Sequence, residues 1–146
     1  MDTSLSAFLE CVPEMPDNVK FVASERFKDP KTGEPLEWEI RPLTNVESEQ
    51  IKTNAQRAAT KKGRLNQARF TKLYNDAVMV ECTVFPDLRN GQLQDKFGVK
   101  SADPAELLGK MLCLPGEYAN YLEQVTKLNG FDVDLYSEAV EEAKND

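Results

Sequence analysis

The chain has 146 residues, 40% hydrophobic and 29% charged, which fits one folded domain with a core of useful size rather than a disordered polymer. Its formal net charge of −7 argues against non-specific nucleic-acid binding, which needs a basic surface. There is no histidine, which excludes histidine-dependent triads and HExxH metal sites, and no apolar run approaches the ~20 residues that cross a bilayer.

Ser4 to Cys11 reads as a short helix with Leu5, Phe8 and Leu9 at i, i+3 and i+4. Pro13 and Pro16 break it, so residues 1–17 form a helix and linker that either pack on the body, the reading the sequence favours, or reach out to bind something. The N-terminus lacks the basic start and long apolar run of a signal peptide, and an intracellular protein is expected.

A β-hairpin is expected at residues 19–41. Leu36, Trp38 and Ile40 alternate with Glu37, Glu39 and Arg41, which puts three large apolar side chains on one face and three charges on the other. Val19, Phe21 and Ala23 alternate on the first strand, Asp29-Pro30 opens the turn, and Gly33 supplies the positive φ of a tight reversal. Pro35 and Pro42 bracket the second strand, which is therefore expected to be short and at a sheet edge. Trp38 reads first as a core anchor and second as a partner-facing aromatic. No other convincing strand signal follows.

Thr44-Asn-Val-Glu47 is a capping box, and its helix should run to about Thr60 with a thin stripe of Val46, Ile51, Ala55, Ala58 and Ala59. Gly63 reads as its C-cap. Arg57, Lys61, Lys62, Arg64 and Arg69 form the one basic patch, either a solvated helix end or a contact for an acidic partner. A second long helix is expected from Leu65 to about Val84, with Phe70, Leu73, Ala77, Val80 and Val84 on its stripe, and one helical turn at Leu93–Phe97. Asp103, or Ser101 one turn earlier, caps a helix that buries Leu107, Leu108, Met111 and Leu112. After a corner at Leu114–Glu117, a helix to Asn129 carries Tyr118, Tyr121, Leu122, Val125 and Leu128, with Gly130 at C′. Asp132 or Asp134 caps a last helix, Leu135 to Ala143, with an acidic outer face. The fold expected is mainly α, five or six helices with one N-terminal hairpin, in a single domain spanning 1–146.

No chemistry-bearing motif emerges. The seven glycines are scattered and form no phosphate loop. Asp132-Val-Asp134 begins like an EF-hand, but Tyr136 and Ser137 occupy the fifth and sixth positions. Cys11, Cys82 and Cys113 have no CxxC pairing and read as small buried hydrophobes in a reducing compartment. No catalytic, cofactor-binding or metal-binding residue is assigned, and neither a cofactor nor a membrane partner is expected. The candidate partner-binding residues are Leu5, Phe8 and Leu9, the strand charges Glu37, Glu39 and Arg41, Tyr118 and Tyr121, and Leu135 and Val140 on the last helix.

Three segments carry a resemblance: Ser24–Asp29 followed by Gly33–Thr44; Glu81-Cys-Thr-Val-Phe-Pro-Asp-Leu88 with Leu93–Lys100; and Leu107–Ala119 with Asn129-Gly-Phe-Asp132. In this order the chain, over roughly residues 18–144, is similar to the XkdN-like tail assembly chaperones of contractile-tail phages and prophages of Gram-positive hosts. The resemblance implies a small helical protein of the host cytoplasm that binds the phage tape measure protein, keeps it soluble until the tail tube polymerises, and is absent from the finished virion. The tail tube protein and a second copy of the chain are further candidate partners, and the sequence does not fix the oligomeric state. The alternative is a structural tail component, a connector or tube-associated subunit, retained in the particle. The resemblance supplies no residue-level site.

Overall fold

A computed structural model describes residues 5–131. The elements in chain order are helix α1 (Leu5–Glu10), strands β1 (Val19–Phe21) and β2 (Trp38–Ile40), helix α2 (Asn45–Ala59), strands β3 (Thr60–Lys61) and β4 (Arg64–Leu65), helix α3 (Gln67–Cys82), strand β5 (Thr83–Phe85), and helices α4 (Gly91–Lys96), α5 (Pro104–Met111) and α6 (Pro115–Leu128). The fold is mainly α with a small antiparallel sheet, as the pattern of the sequence indicates.

The hairpin forms, with Val19 opposite Ile40 and Phe21 opposite Trp38. Its turn closes where Gly33, at φ 74°, donates its N–H to the Asp29 carbonyl. β2 is short, but it is not an edge. It is the central strand of a β1-β2-β5 sheet, with β5 pairing antiparallel on its other side. Pro35 and Pro42 lie outside Trp38–Ile40, so they limit the strand's length without removing a donor from either ladder, and the Arg41 N–H still reaches the Cys82 carbonyl at 2.8 Å. β5 also corrects the expected extent of the second long helix. Asn66 caps α3 by accepting from the Arg69 N–H, and the helix stops at Cys82 because Thr83-Val84-Phe85, β-branched and aromatic, is drawn onto β2. Val84, assigned to the helix stripe by periodicity, is exposed.

A second correction lies at Lys61–Arg64. Lys62 and Gly63 both have positive φ, 52° and 76°, and form the two-residue turn of a β3-β4 hairpin rather than a helix C-cap. The capping box of α2 is present: the Thr44 hydroxyl accepts from the Glu47 N–H and the Glu47 carboxylate accepts from the Thr44 N–H. Of the two caps considered for α5, Asp103 serves, accepting from the Ala105 N–H at 2.9 Å. α6 ends as expected at Gly130, whose N–H reaches the Lys127 carbonyl while that of Phe131 reaches Thr126.

Trp38, 2% exposed, sits at the centre of the core with its ring 5.4 Å from that of Tyr121 and 6.2 Å from that of Phe27. Ile40, Met79, Leu107, Leu108, Leu112 and Val125 belong to the same buried cluster. The sheet thus covers one end of a helical layer whose spine is α3. Of the cysteines only Cys82 is buried, and its desolvated thiol is pushed up to about 11. Cys11 and Cys113 are exposed, contrary to expectation, because one ends a helix with no buried residue and the other lies in the α5–α6 connection. The predicted helix at Leu135–Ala143 lies outside the described residues.

Candidate functional site

Among the described residues, the side chains singled out in the sequence do not converge. α1 forms, but the expected packing on the body does not: Leu5, Phe8 and Leu9 are 72%, 77% and 72% exposed. Residues 11–18 are exposed throughout. Tyr121 is fully buried and shares a 2.6 Å hydroxyl contact with Thr83, so it is a core residue rather than part of a surface groove. Tyr118 is half-buried and donates to Asp76 on α3. Burial and that carboxylate both push its phenol above the ordinary tyrosine range. Leu135 and Val140 lie outside the described residues.

The charged face of β2 divides. Glu37 is exposed. Glu39 accepts from the Asn18 amide at 2.9 Å and lies 3.9 Å from Lys20. Arg41 is committed to the fold. It pairs with Glu47 at 2.9 Å and with Glu81 at 3.3 Å, and Arg89 pairs with Glu81 from the far side at 3.4 Å. The Arg41 hydrogen bond, helped by the Thr44 N–H, holds the Glu47 carboxyl at about 2.

The surface that the structure does assemble is a groove of about 720 Å³ between α2, α3 and α5. Its floor is Ile51, Ala55 and Ala58 from α2, Leu73, Ala77 and Val80 from α3, and Ala105 and Gly109 from α5. On α2 and α3 these fall at i, i+4 and i+7, so each helix contributes one continuous row. Most are small, which lets a further helix approach closely. Gly109 has open space where a Cβ would stand. The groove was missed in the sequence because it is built by three helices, yet it left a trace: α2's thin alanine stripe is one of its walls.

The rim charges are largely paired among themselves. Lys72 bonds Asp76 at 3.0 Å, Arg89 reaches Glu81, and Glu106 lies 3.4 Å from Lys110 and accepts from the Ser101 hydroxyl at 2.8 Å. The Ser101 bond holds the Glu106 carboxyl below its ordinary range. An apolar ridge laid on this floor therefore leaves no lone charge stranded beneath it. One end of the groove opens at Ala58, whose carbonyl accepts from Arg69 of the basic patch at 3.5 Å.

Among the described residues no group of three Cys, Asp or Glu side chains could hold a metal ion, and no helix is long and apolar enough to cross a membrane. The arrangement offers a helix-accepting surface instead.

The family model described as phage XkdN-like tail assembly chaperone protein matches residues 5–144. The chain is 32% identical over 134 residues to the phage-like element PBSX protein XkdN of Bacillus subtilis (strain 168), covering 88% of this chain and 85% of that protein. It is 31% identical over 131 residues to YqbN of the same organism, with the same coverages. The crystal structure of YqbN superposes with a TM-score of 0.68 at 26% identity, covering 90% of this chain and all of that one.

Proposed function

Because this chain belongs to the phage XkdN-like tail assembly chaperone family, we propose that it is a non-enzymatic chaperone that binds the tape measure protein and keeps it soluble while the tail is built. A tape measure protein is long and helical, and its apolar helix faces need cover until the tube encloses them. The observation that supports this reading is the α2/α3/α5 groove, with its small-residue floor and self-paired rim. It suits an amphipathic helix presenting an i, i+4, i+7 ridge. The place of action is the host cytoplasm, and the mature virion lacks the protein.

Co-expression with the tape measure protein encoded alongside tests the proposal. The tape measure protein should move from the insoluble to the soluble fraction and co-purify with this chain. If it stays insoluble and does not co-purify, the proposal fails. Mass spectrometry of purified particles decides the alternative, since abundant peptides from this chain in mature tails would make it a structural component.

A further inference from the structure

Two exposed parts of the chain carry opposite charge. Residues 57–69 hold Arg57, Lys61, Lys62, Arg64 and Arg69 and no Asp or Glu. All five cations are exposed, and none forms an ion pair with a described residue, whereas Arg26, Arg41 and Arg89 all do. Residues 5–18 hold Glu10, Glu14 and Asp17 and no Lys or Arg, directly after the exposed Leu5, Phe8 and Leu9. The basic hairpin borders the Ala58 end of the groove. A helix lying in the groove with its acidic continuation toward that end would meet apolar floor first and cations next.

We propose that residues 5–17 of one copy of this chain dock in the hairpin end of the groove of a second copy, a self-association that a client helix displaces. Leu5, Phe8 and Leu9 cover the Ala55, Ala58 and Leu73 region, and Glu10, Glu14 and Asp17 face the hairpin cations. The inference rests on the groove accepting a helix, but not on what the client is.

Chain geometry selects a second copy over the chain's own groove. β1 is held at the far end of α2, since Val19 pairs with Ile40 and the adjoining Arg41 pairs with Glu47 in the first turn of that helix. The hairpin follows the other end of α2, which at 15 residues is ~22 Å long. Asp17 is two residues from Val19 and Glu14 five, so they reach at most ~7 Å and ~18 Å from it. All three acids cannot reach the hairpin of the same molecule while β1 stays paired. A contact between different surfaces of identical chains is heterologous and does not have to close, so copies add in series.

Sedimentation velocity of the purified full chain over a concentration series, with no tape measure protein present, tests this. The wild type should associate with rising concentration at low salt and dissociate at high salt, because exposed charges are screened. The variant K61E/K62E/R64E and the variant E10K/E14K/D17K should each remain monomeric. Mixed together they should associate again, since the acidic tail of the first variant meets the unaltered cations of the second, and the reversed tail of the second meets the reversed hairpin of the first. All six positions are exposed, and unchanged melting by circular dichroism confirms that both variants fold. A wild type that stays monomeric throughout, a single reversal that leaves association intact, or a mixture that does not associate overturns the proposal. So does a wild type whose hairpin binds a duplex DNA fragment while self-association is absent. Co-purification with a client is read separately, so either result can fail without the other.

Discussion

The α2–α3 pair has two ends that treat charge in opposite ways. At the sheet end, Arg41, Glu47, Glu81 and Arg89 satisfy one another above the buried Trp38 and Ile40, and the Thr44 capping box closes the helix start. At the hairpin end, five cations have no carboxylate among the described residues. Charge at the first end is spent on the fold, and charge at the second is, in the self-association proposed above, met by a neighbouring copy. The difference teaches that a conspicuous charged residue is not by that fact an interaction residue. Arg41 looked available on its strand and is the most engaged cation at its end, while the hairpin cations looked like an ordinary solvated helix end.

Mutation breaks this contrast most sharply at the sheet. Trp38→Ala should cost about 3–5 kcal/mol, comparable with the whole stability of a small domain, and should appear as a large fall in melting temperature or loss of cooperative unfolding. Arg41→Ala removes the cation that Glu47 and Glu81 share at a partly exposed site and should cost about 1–2 kcal/mol by urea denaturation.

Acid should act at the same end. Glu47 has its folded value near 2, below the ordinary 4.5, so its contribution is fully present above about 4.5 and is lost as pH falls toward 2. The Glu117 carboxyl, lowered by hydrogen bonds from Arg26 and Ser24, works in the same direction. Glu47→Gln should therefore lower stability at neutral pH and flatten its decline below 4.5, as read from urea midpoints across pH.

Smaller effects lie toward the groove and hairpin. Gly109→Ala should stabilise by about 0.5–1 kcal/mol, since the glycine is inside a helix and its new Cβ meets nothing within 4 Å. Lys61→Ala with Lys62→Ala should change stability by less than about 0.5 kcal/mol while weakening self-association. A large stability loss from that pair would mean that the hairpin charges also belong to the fold.

Local chemistry made much of the fold legible. The alternation at Trp38–Ile40, the Thr44–Glu47 box, the Asp103-Pro104 start and the Gly130 stop each depend on residues a few positions apart, and the structure shows them, although Leu36, expected on the apolar face, lies outside β2 and is exposed. What was lost depends on distant partners. β5 is a strand only because β2 offers it a ladder, and without β2 the stretch Thr83–Phe85 continues a helical period. β2 became central for the same reason. Lys62-Gly63 carried a readable turn signal, overridden by the expectation of a helix cap. Of the candidate site residues, Leu5, Phe8 and Leu9 are exposed although packing on the body was the favoured reading, and Tyr121 shares the spacing of its neighbours but points at Trp38. The groove was illegible because no single helix contains it.

That groove is where the account is most directly tested. The G109W variant fills it from α5 without backbone strain, and G109A serves as the matched control. Both should melt at or above the wild-type temperature. Pull-down of the tape measure protein should persist with G109A and be lost with G109W. Capture of the tape measure protein by folded G109W as strongly as by wild type would contradict the groove as the client's seat.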